Sequence, residues 1–328
     1  MALEAIAKQC YKKGVEEVIV AGDSFDGPVQ DPSFIDYCAD TYLPLTLVPG
    51  NHDPGLRQGF FASKRVTVVE KPLLREGKIP LLFLPYREES TMGMAIEAAG
   101  LRESLAARAW ILISHGDFGR YAPEEKGKEQ GYFPLTRRDL QRCNPALTIL
   151  GHIHRGHEAA PGIYYPGSPV PLDITERGPR RYLLVDRDTL GIKSLPVPGA
   201  PINEILNIIS IPGSDEARGV HDAVVSHIRL IRTGAGAQGA VPLTLRVHVR
   251  GRAEERGDVE EAVKKACSEE GVSLEGIHLG ELLPAGETRT GEIARLVQEK
   301  IHEYKLSYGS GAITEDEVMK QALSILYK

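Results

Sequence analysis

The sequence predicts an α/β protein: a two-sheet sandwich flanked by helices, followed by a small α+β domain and C-terminal helices. Three observations carry that reading. Short runs rich in Val, Ile and Leu, each closed by glycine, proline or a polar turn, recur through the first 195 residues with helical stretches between some of them. The segment Pro196-Val-Pro-Gly-Ala-Pro201 then reads as a linker. Beyond it, Leu243-Thr-Leu-Arg-Val-His-Val-Arg alternates apolar and polar residues, as a half-exposed strand does.

The elements follow in order. Leu3, Ile6, Ala7, Cys10 and Tyr11 recur at helical spacing, with Gly14 as a stop. Val18-Ile-Val-Ala, Leu45-Thr-Leu-Val, Val66-Thr-Val-Val, Leu81-Leu-Phe-Leu, Trp110-Ile-Leu-Ile and Leu147-Thr-Ile-Leu read as buried strands, and Ala95 to Arg108 as a helix. Tyr182-Leu-Leu-Val-Asp looks like the closing strand of this domain. In the second domain Asp258 is placed as the cap of a helix carrying Val259, Ala262, Val263 and Ala266, ending at Gly271. Ile293, Leu296, Val297 and Ile301 form one helical stripe. Thr314-Glu-Asp-Glu317 opens a last helix as a capping box. The boundaries are 1–195, 196–288 and 289–328, since 328 residues suit two or three domains.

Composition narrows the classes. Hydrophobic residues at 42% and charged residues at 26% exclude a disordered or fibrous chain. No apolar run reaches the roughly 18 residues of a membrane helix, and Met1-Ala-Leu-Glu-Ala-Ile-Ala-Lys lacks a signal peptide's basic start. Four dispersed cysteines without a Cys-x-x-Cys pair fit a reducing cytoplasm. A net charge of −6 excludes a generally basic surface, so nucleic-acid contacts would come from local patches.

Chemistry concentrates at strand ends. Gly22-Asp23-Ser-Phe-Asp26, Gly50-Asn51-His52-Asp53, Ser114-His115-Gly116 and Gly151-His152-Ile-His154 each begin where an apolar strand stops. In α/β sheets ligand groups gather at carboxyl ends of strands. Taken singly, each block is ordinary turn chemistry or a hydrogen-bonded imidazole. Together, carboxylate, carboxamide oxygen and imidazole suit Mn²⁺, Fe²⁺ or Zn²⁺. An extended His-x-His would turn His152 and His154 to the same side.

These four blocks, in this order, resemble the calcineurin-like metallophosphoesterase superfamily. Ile149-Leu-Gly-His-Ile-His, Tyr165-Pro-Gly-Ser-Pro and Leu172-Asp-Ile-Thr-Glu are similar, more narrowly, to the Mre11/SbcD family of DNA repair nucleases, which includes YhaO-like exonucleases. The likeness runs from residue 1 to about 195. The second domain resembles the family's capping domain in outline, most at Leu245-Arg-Val-His-Val-Arg-Gly-Arg. The resemblance implies a metallophosphoesterase sandwich with two metals, Mn²⁺ foremost. Asp23 would bridge them, Asn51, His115 and His152 would complete one site, and His154 would serve the other. His52 would act at the scissile phosphate, with Asp26 orienting it. Asp53 is read as turn-forming. The family's leading Asp-x-His strand is not in this sequence, so the expectation is one complete metal site, an unpaired sheet edge and impaired catalysis.

Arg138, Arg142, Arg155 and Arg181 cluster around the Gly-His-x-His strand as candidate DNA phosphate contacts, a solvated charged face being the alternative. Gly119-Arg-Tyr-Ala and Gly131-Tyr-Phe-Pro read as loop packing, with lining of the cleft as the alternative. The resemblance further implies a Rad50/SbcC-like ATPase bound through the C-terminal helices, in an SbcCD-like DNA repair complex. A homodimer stays open as a further assembly, and no membrane partner is expected. A small-molecule (cyclic nucleotide) phosphodiesterase and a catalytically impaired DNA-binding subunit are the alternatives.

Overall fold

The computed structural model describes residues 2–29, 31–106, 108–119, 131–212, 215–234 and 241–284, with scattered positions between 293 and 325. They form a mixed α/β protein in two compact units. One comprises residues 1–171 and 179–200, the other residues 172–178 and 201–328.

The first unit is a sandwich of two main sheets. Helix α1 (Ala2–Lys12) leads into strand β1 (Val18–Ala21); α2 (Ser33–Thr41) follows, then β2 (Leu45–Val48), a short 3₁₀ turn at Gln58–Phe60 and β3 (Val66–Val68). These three strands run parallel in the order β1-β2-β3, and β1 is an edge among the described residues. The second sheet has the order β4-β5-β6-β7-β9-β8, from β4 (Leu73–Arg75), β5 (Leu81–Leu84), β6 (Ile111–His115), β7 (Leu147–Gly151), β8 (His157–Ala160) and β9 (Ile163–Tyr165). Strands β5, β6, β7 and β9 are mutually parallel, while β4 and β8 are antiparallel to their neighbours.

The all-apolar strands are buried on both faces, and the pleat divides their residues between two cores. Leu81, Phe83, Ile111 and Ile113 pack with Val48, Val69 and Leu147 in one core, which Ile19 and Ala21 of β1 also join. Leu82, Leu84 and Leu112 point the other way, onto Met92, Ile96 and Leu105 of the covering helices. Those helices are α3 (Met92–Ala98), α4 (Arg102–Ala106) and α5 (Arg137–Cys143). The single helix expected over Ala95–Arg108 is thus two, because Gly100 turns left-handed at φ 66° and breaks it. Helix α5 starts with a reciprocal Thr136–Asp139 capping box.

The Tyr182 strand, β10 (Arg181–Asp186), pairs with β11 (Gly191–Pro196) as a separate antiparallel ribbon instead of closing a main sheet. Val185 and Ile192 from this ribbon pack against the inter-sheet core.

The second unit is α+β. Strands β12 (Ile202–Ser210), β13 (Leu243–Ala253) and β14 (Ser273–His278) are parallel neighbours, and β15 (Leu282–Pro284) pairs with the far end of β13. Helices α6 (Glu216–Gly234) and α7 (Arg256–Glu269) cover one face. Alternate β13 residues Leu243, Leu245, Val247 and Val249 meet Val220, Val224 and Ile228 of α6 and Val259 and Val263 of α7. The residue capping α7 is Glu255, without a side-chain bond, and Asp258 lies within the first turn. The expectation of Asp258 as cap is corrected, since the helix begins three residues earlier than its apolar stripe suggested. Residues 172–178 join this unit through hydrogen bonds to Asn203 at the start of β12.

Ile293, Leu296, Val297, Ile301, Val318 and Ala322 are helical, and Ile293 and Leu296 are exposed. The Thr314–Glu317 capping box, Leu323 and Leu326 lie outside the described residues, as do residues 120–130 of the aromatic segment. Among the described residues no helix is long and apolar enough to cross a membrane.

Candidate metal centre

The carboxyl ends of β1, β2, β6 and β7 bring Asp23, Asn51, His115 and His152 together. The approach is so close that side chains are excluded at three glycines, one of them Gly50, where a Cβ would stand 2.1 Å from Asp23 Oδ1. A Cβ on Gly22 would stand 1.9 Å from the His115 Nδ1, and one on Gly151 would stand 1.6 Å from the Ala21 carbonyl oxygen. Ligating atoms of Asp23, His115 and His152 all lie within 4.8 Å of one another. Asn51 Oδ1 is 2.8 Å from His115 Nε2 and 3.1 Å from His152 Nδ1. His115 Nε2 is also 3.1 Å from Asp23 Oδ2.

Tautomer chemistry decides what this cluster wants. His115, 1% exposed, has its Nδ1 2.9 Å from the Ala21 carbonyl, which can only accept, so Nδ1 carries the hydrogen. In the neutral ring Nε2 is then a lone pair facing two more acceptors, Asp23 Oδ2 and Asn51 Oδ1. Such a convergence is repulsive unless a proton or a cation sits among the three. A first-row ion with bonds of about 2.0–2.2 Å requires ligand atoms within roughly 4.4 Å of each other, and the three distances of 2.8–3.1 Å satisfy that. The backbone carbonyl behind His115 is the usual device for aiming a metal-ligating imidazole. The donor set therefore fits a divalent transition ion.

With a proton rather than a cation among the three groups, burial pushes the Asp23 carboxyl up, but the His115 hydrogen bond and charge and the His52 backbone N–H together hold it below the usual range. Burial lowers His152, and the His115 charge adds to this against the opposing pull of Asp117. The lowering favours the neutral ring, the form that ligates a metal. Asp23 and His152 both have left-handed backbone, at φ 52° and 94°, where non-glycine residues are strained.

His52 extends from the same turn as Asn51. Its backbone N–H donates to Asp23 Oδ1 at 2.9 Å, and its Nδ1 lies 2.8 Å from Asp26 Oδ1. That contact leaves His52 Nε2 as the nitrogen available for proton exchange. His154 is exposed and is not in the Asp23–His115–His152 group, although its charge is felt by His152. The extended His-x-His geometry is corrected here: β7 ends at Gly151, and the φ of His152 removes the strand alternation.

Of the four arginines, Arg181 is engaged with Ser194 through Nε and Nη2 at 2.8 and 2.7 Å, and Arg142 pairs with Glu97 at 3.4 Å. Arg138 and Arg155 are exposed.

Three residues at the centre stand apart from the expected ligands: Asp53, read as turn-forming, Tyr132, read as loop packing with cleft lining as the alternative, and Asp117, which had no assigned role. Asp53, 3% exposed, is more than a turn former: Oδ1 accepts Gly50 N–H at 2.6 Å and Oδ2 accepts Ser24 and Phe25 N–H at 2.8 and 3.3 Å. It ties the Asp23 loop to the Asn51 loop. Asp117 Oδ1 lies 3.9 Å from His152 Nε2, and its Oδ2 accepts the Tyr132 N–H at 2.9 Å. Tyr132, 53% exposed, places its ring 5.0 Å from that of His152, whereas Phe133 is core. A carboxylate two residues after His115 was the only signal for Asp117, and an aromatic pair in a glycine-rich loop the only one for Tyr132.

The family model of calcineurin-like phosphoesterases matches residues 2–156, the stretch that contains all four ligand-bearing strand ends. The match covers just under half of the chain and supports a likeness to the calcineurin-like metallophosphoesterase superfamily, which suggests phosphoester hydrolysis with divalent metals. No curated protein matches the chain in sequence.

Proposed function

We propose that the chain is the nuclease subunit of an SbcCD/Mre11-Rad50-like DNA repair complex, a phosphodiesterase that hydrolyses DNA with Mn²⁺. The observation that carries the hydrolytic part is the acceptor convergence of Asp23, Asn51 and His115 behind a locked tautomer. Asp23, Asn51, His115 and His152 would hold the metal, and His154 would serve a second ion. A bound divalent ion supplies Lewis-acid stabilisation of charge on a phosphate ester and acidifies water. Water oxygen bonds to phosphorus as the ester P–O bond breaks. His52, oriented at Nδ1 by Asp26, presents Nε2 to protonate the departing ester oxygen. The DNA half of the reading is supported by the Mre11/SbcD resemblance and by the exposed Arg138 and Arg155. The exposed apolar positions Ile293 and Leu296 suit a helix laid against an ATPase partner.

The test is hydrolysis by the purified chain of end-labelled linear duplex DNA, a cyclic nucleotide and a chromogenic phosphodiester, with Mn²⁺ and with chelator. Expected are Mn²⁺-dependent DNA cleavage and its loss in Asp23→Asn. Turnover of the cyclic nucleotide with intact DNA would overturn the nuclease reading, and chelator-resistant cleavage would overturn the metal-dependent one.

A further inference from the structure

The sheet of the second unit has an outward face with a pair of imidazoles that the phosphoesterase reading does not use. Strand β13 alternates strictly, so Thr244, Arg246, His248 and Arg250 point away from the core that α6 and α7 cover. On β14, His278 is the direct parallel partner of His248. Registered partners share a face, and the two rings meet with centroids 4.6 Å apart and a tilt of 43°. His248 Nε2 is shut off from solvent with no hydrogen-bond partner, whereas His278 is exposed.

The surrounding charges are largely committed. Arg246 is held bidentately by Glu275, at 2.7 Å from each oxygen, and Arg252 donates to the Pro284 carbonyl at 2.9 Å. Arg250 is exposed on the same face. Gly276 lies two positions before His278, and a Cβ there would be 3.9 Å from His278 Nε2.

We propose that His248 and His278 form a two-imidazole chelate for a borderline divalent ion of the Zn²⁺, Ni²⁺ or Cu²⁺ class. Imidazole nitrogen suits these ions, whereas Mn²⁺ and Mg²⁺ favour oxygen. This pair therefore discriminates against Mn²⁺, the ion proposed for the centre of Asp23 and Asn51. An ion here satisfies the orphaned His248 nitrogen and pins β13 to β14 at their last registered pair. Immediately beyond, β15 replaces β14 as the neighbour of β13.

The experiment uses the full chain carrying Asp23→Asn and His115→Ala, which disable the centre in the first unit and make hydrolysis irrelevant to the readout. Cu²⁺ is titrated by calorimetry and the bound ion examined by electron paramagnetic resonance. The expected result is a single tight Cu²⁺ with nitrogen couplings from two imidazoles and no competition from Mn²⁺. His248→Gln and His278→Gln should each abolish the two-nitrogen signature. Both side chains lie on the outer face, and near-ultraviolet circular dichroism checks that each variant stays folded. An unchanged spectrum and stoichiometry in both variants, or loss of the signature in His221→Gln instead, would overturn the proposal.

Discussion

Asp53 offers the sharpest quantitative test of how the centre is held. Three backbone N–H groups from two different loops converge on its carboxylate, and the group is almost fully buried. In Asp53→Asn the shape is kept but one oxygen becomes an NH₂. If the amide keeps its oxygen toward Ser24 and Phe25, the 2.6 Å bond from Gly50 is lost and two donors face each other. A hydrogen bond to a charged group contributes about 1.5–3 kcal/mol, and an opposed buried donor costs about 1–3 kcal/mol more. Removing a buried charge returns part of this, since burial and the nearby Asp23 charge already push the Asp53 carboxyl upward against its N–H donors. The net expectation is about 2–4 kcal/mol of lost stability in urea unfolding. The two loops also carry Asp23 and Asn51, so metal affinity by calorimetry should fall about 10–100-fold, as for other groups that orient ligands. Unfolding within about 0.5 kcal/mol of wild type, the range of neutral surface changes, together with unchanged metal affinity, would refute the strut.

Further expectations concern the rest of the molecule. Gly151→Ala drives a Cβ into the Ala21 carbonyl, so it should lower the melting temperature and abolish metal-dependent stabilisation in thermal scans. Saturating Mn²⁺ at about 100 times its dissociation constant should stabilise the wild type by about 2.7 kcal/mol, and His115→Ala should lose that increment. His221 is hydrogen-bonded to Asp222 at 3.0 Å and Glu269 at 2.9 Å, which raise its pKa above the usual value against a lowering by burial. A raised folded-state pKa stabilises fully below the unfolded value of about 6.5 and loses that contribution as pH rises through the folded one. Urea unfolding of His221→Gln should therefore differ from wild type at pH 5.5 and converge with it in alkaline buffer.

Legibility in the sequence followed how local each cause is. The runs at Leu81, Ile111 and Leu147 announced doubly buried parallel strands because both faces of each must be apolar. The alternation from Leu243 announced a one-faced sheet for the same reason. The 19 residues of α6 have causes just as local, Val220, Val224, Val225 and Ile228 at helical spacing behind Asp215, yet no helix is among the sequence-based expectations there. What stayed hidden was non-local. Nothing in residues 172–178 marks them as belonging with a unit that resumes at Pro201. The ligand types at strand ends were visible. That Asp53 would bind N–H groups 28 and 29 residues upstream was not. Nor does a Gly-His-x-His string reveal that its first histidine has φ 94° and so departs from strand alternation.

That departure bears on how the centre is prepared for an ion. Non-glycine residues in sparsely populated backbone regions cost of order 1–3 kcal/mol each, and Asp23 and His152 both carry that cost. Such conformations persist only where the surroundings over-determine them. Here the Asp53 carboxylate grips the loop after Asp23, and Gly50, Gly22 and Gly151 let backbone and side chains approach where any Cβ would collide. The Ala21 carbonyl then fixes the ring that faces Asp23 and Asn51. The strain is therefore carried by the scaffold before any ion arrives, and binding has only to replace a proton-mediated contact among groups already in position. A centre organised this way should show little change in amide hydrogen exchange at residues 22–25 and 50–53 on adding Mn²⁺. Broad new protection there would mean that the ion, and not Asp53 with its glycine neighbours, assembles the loops.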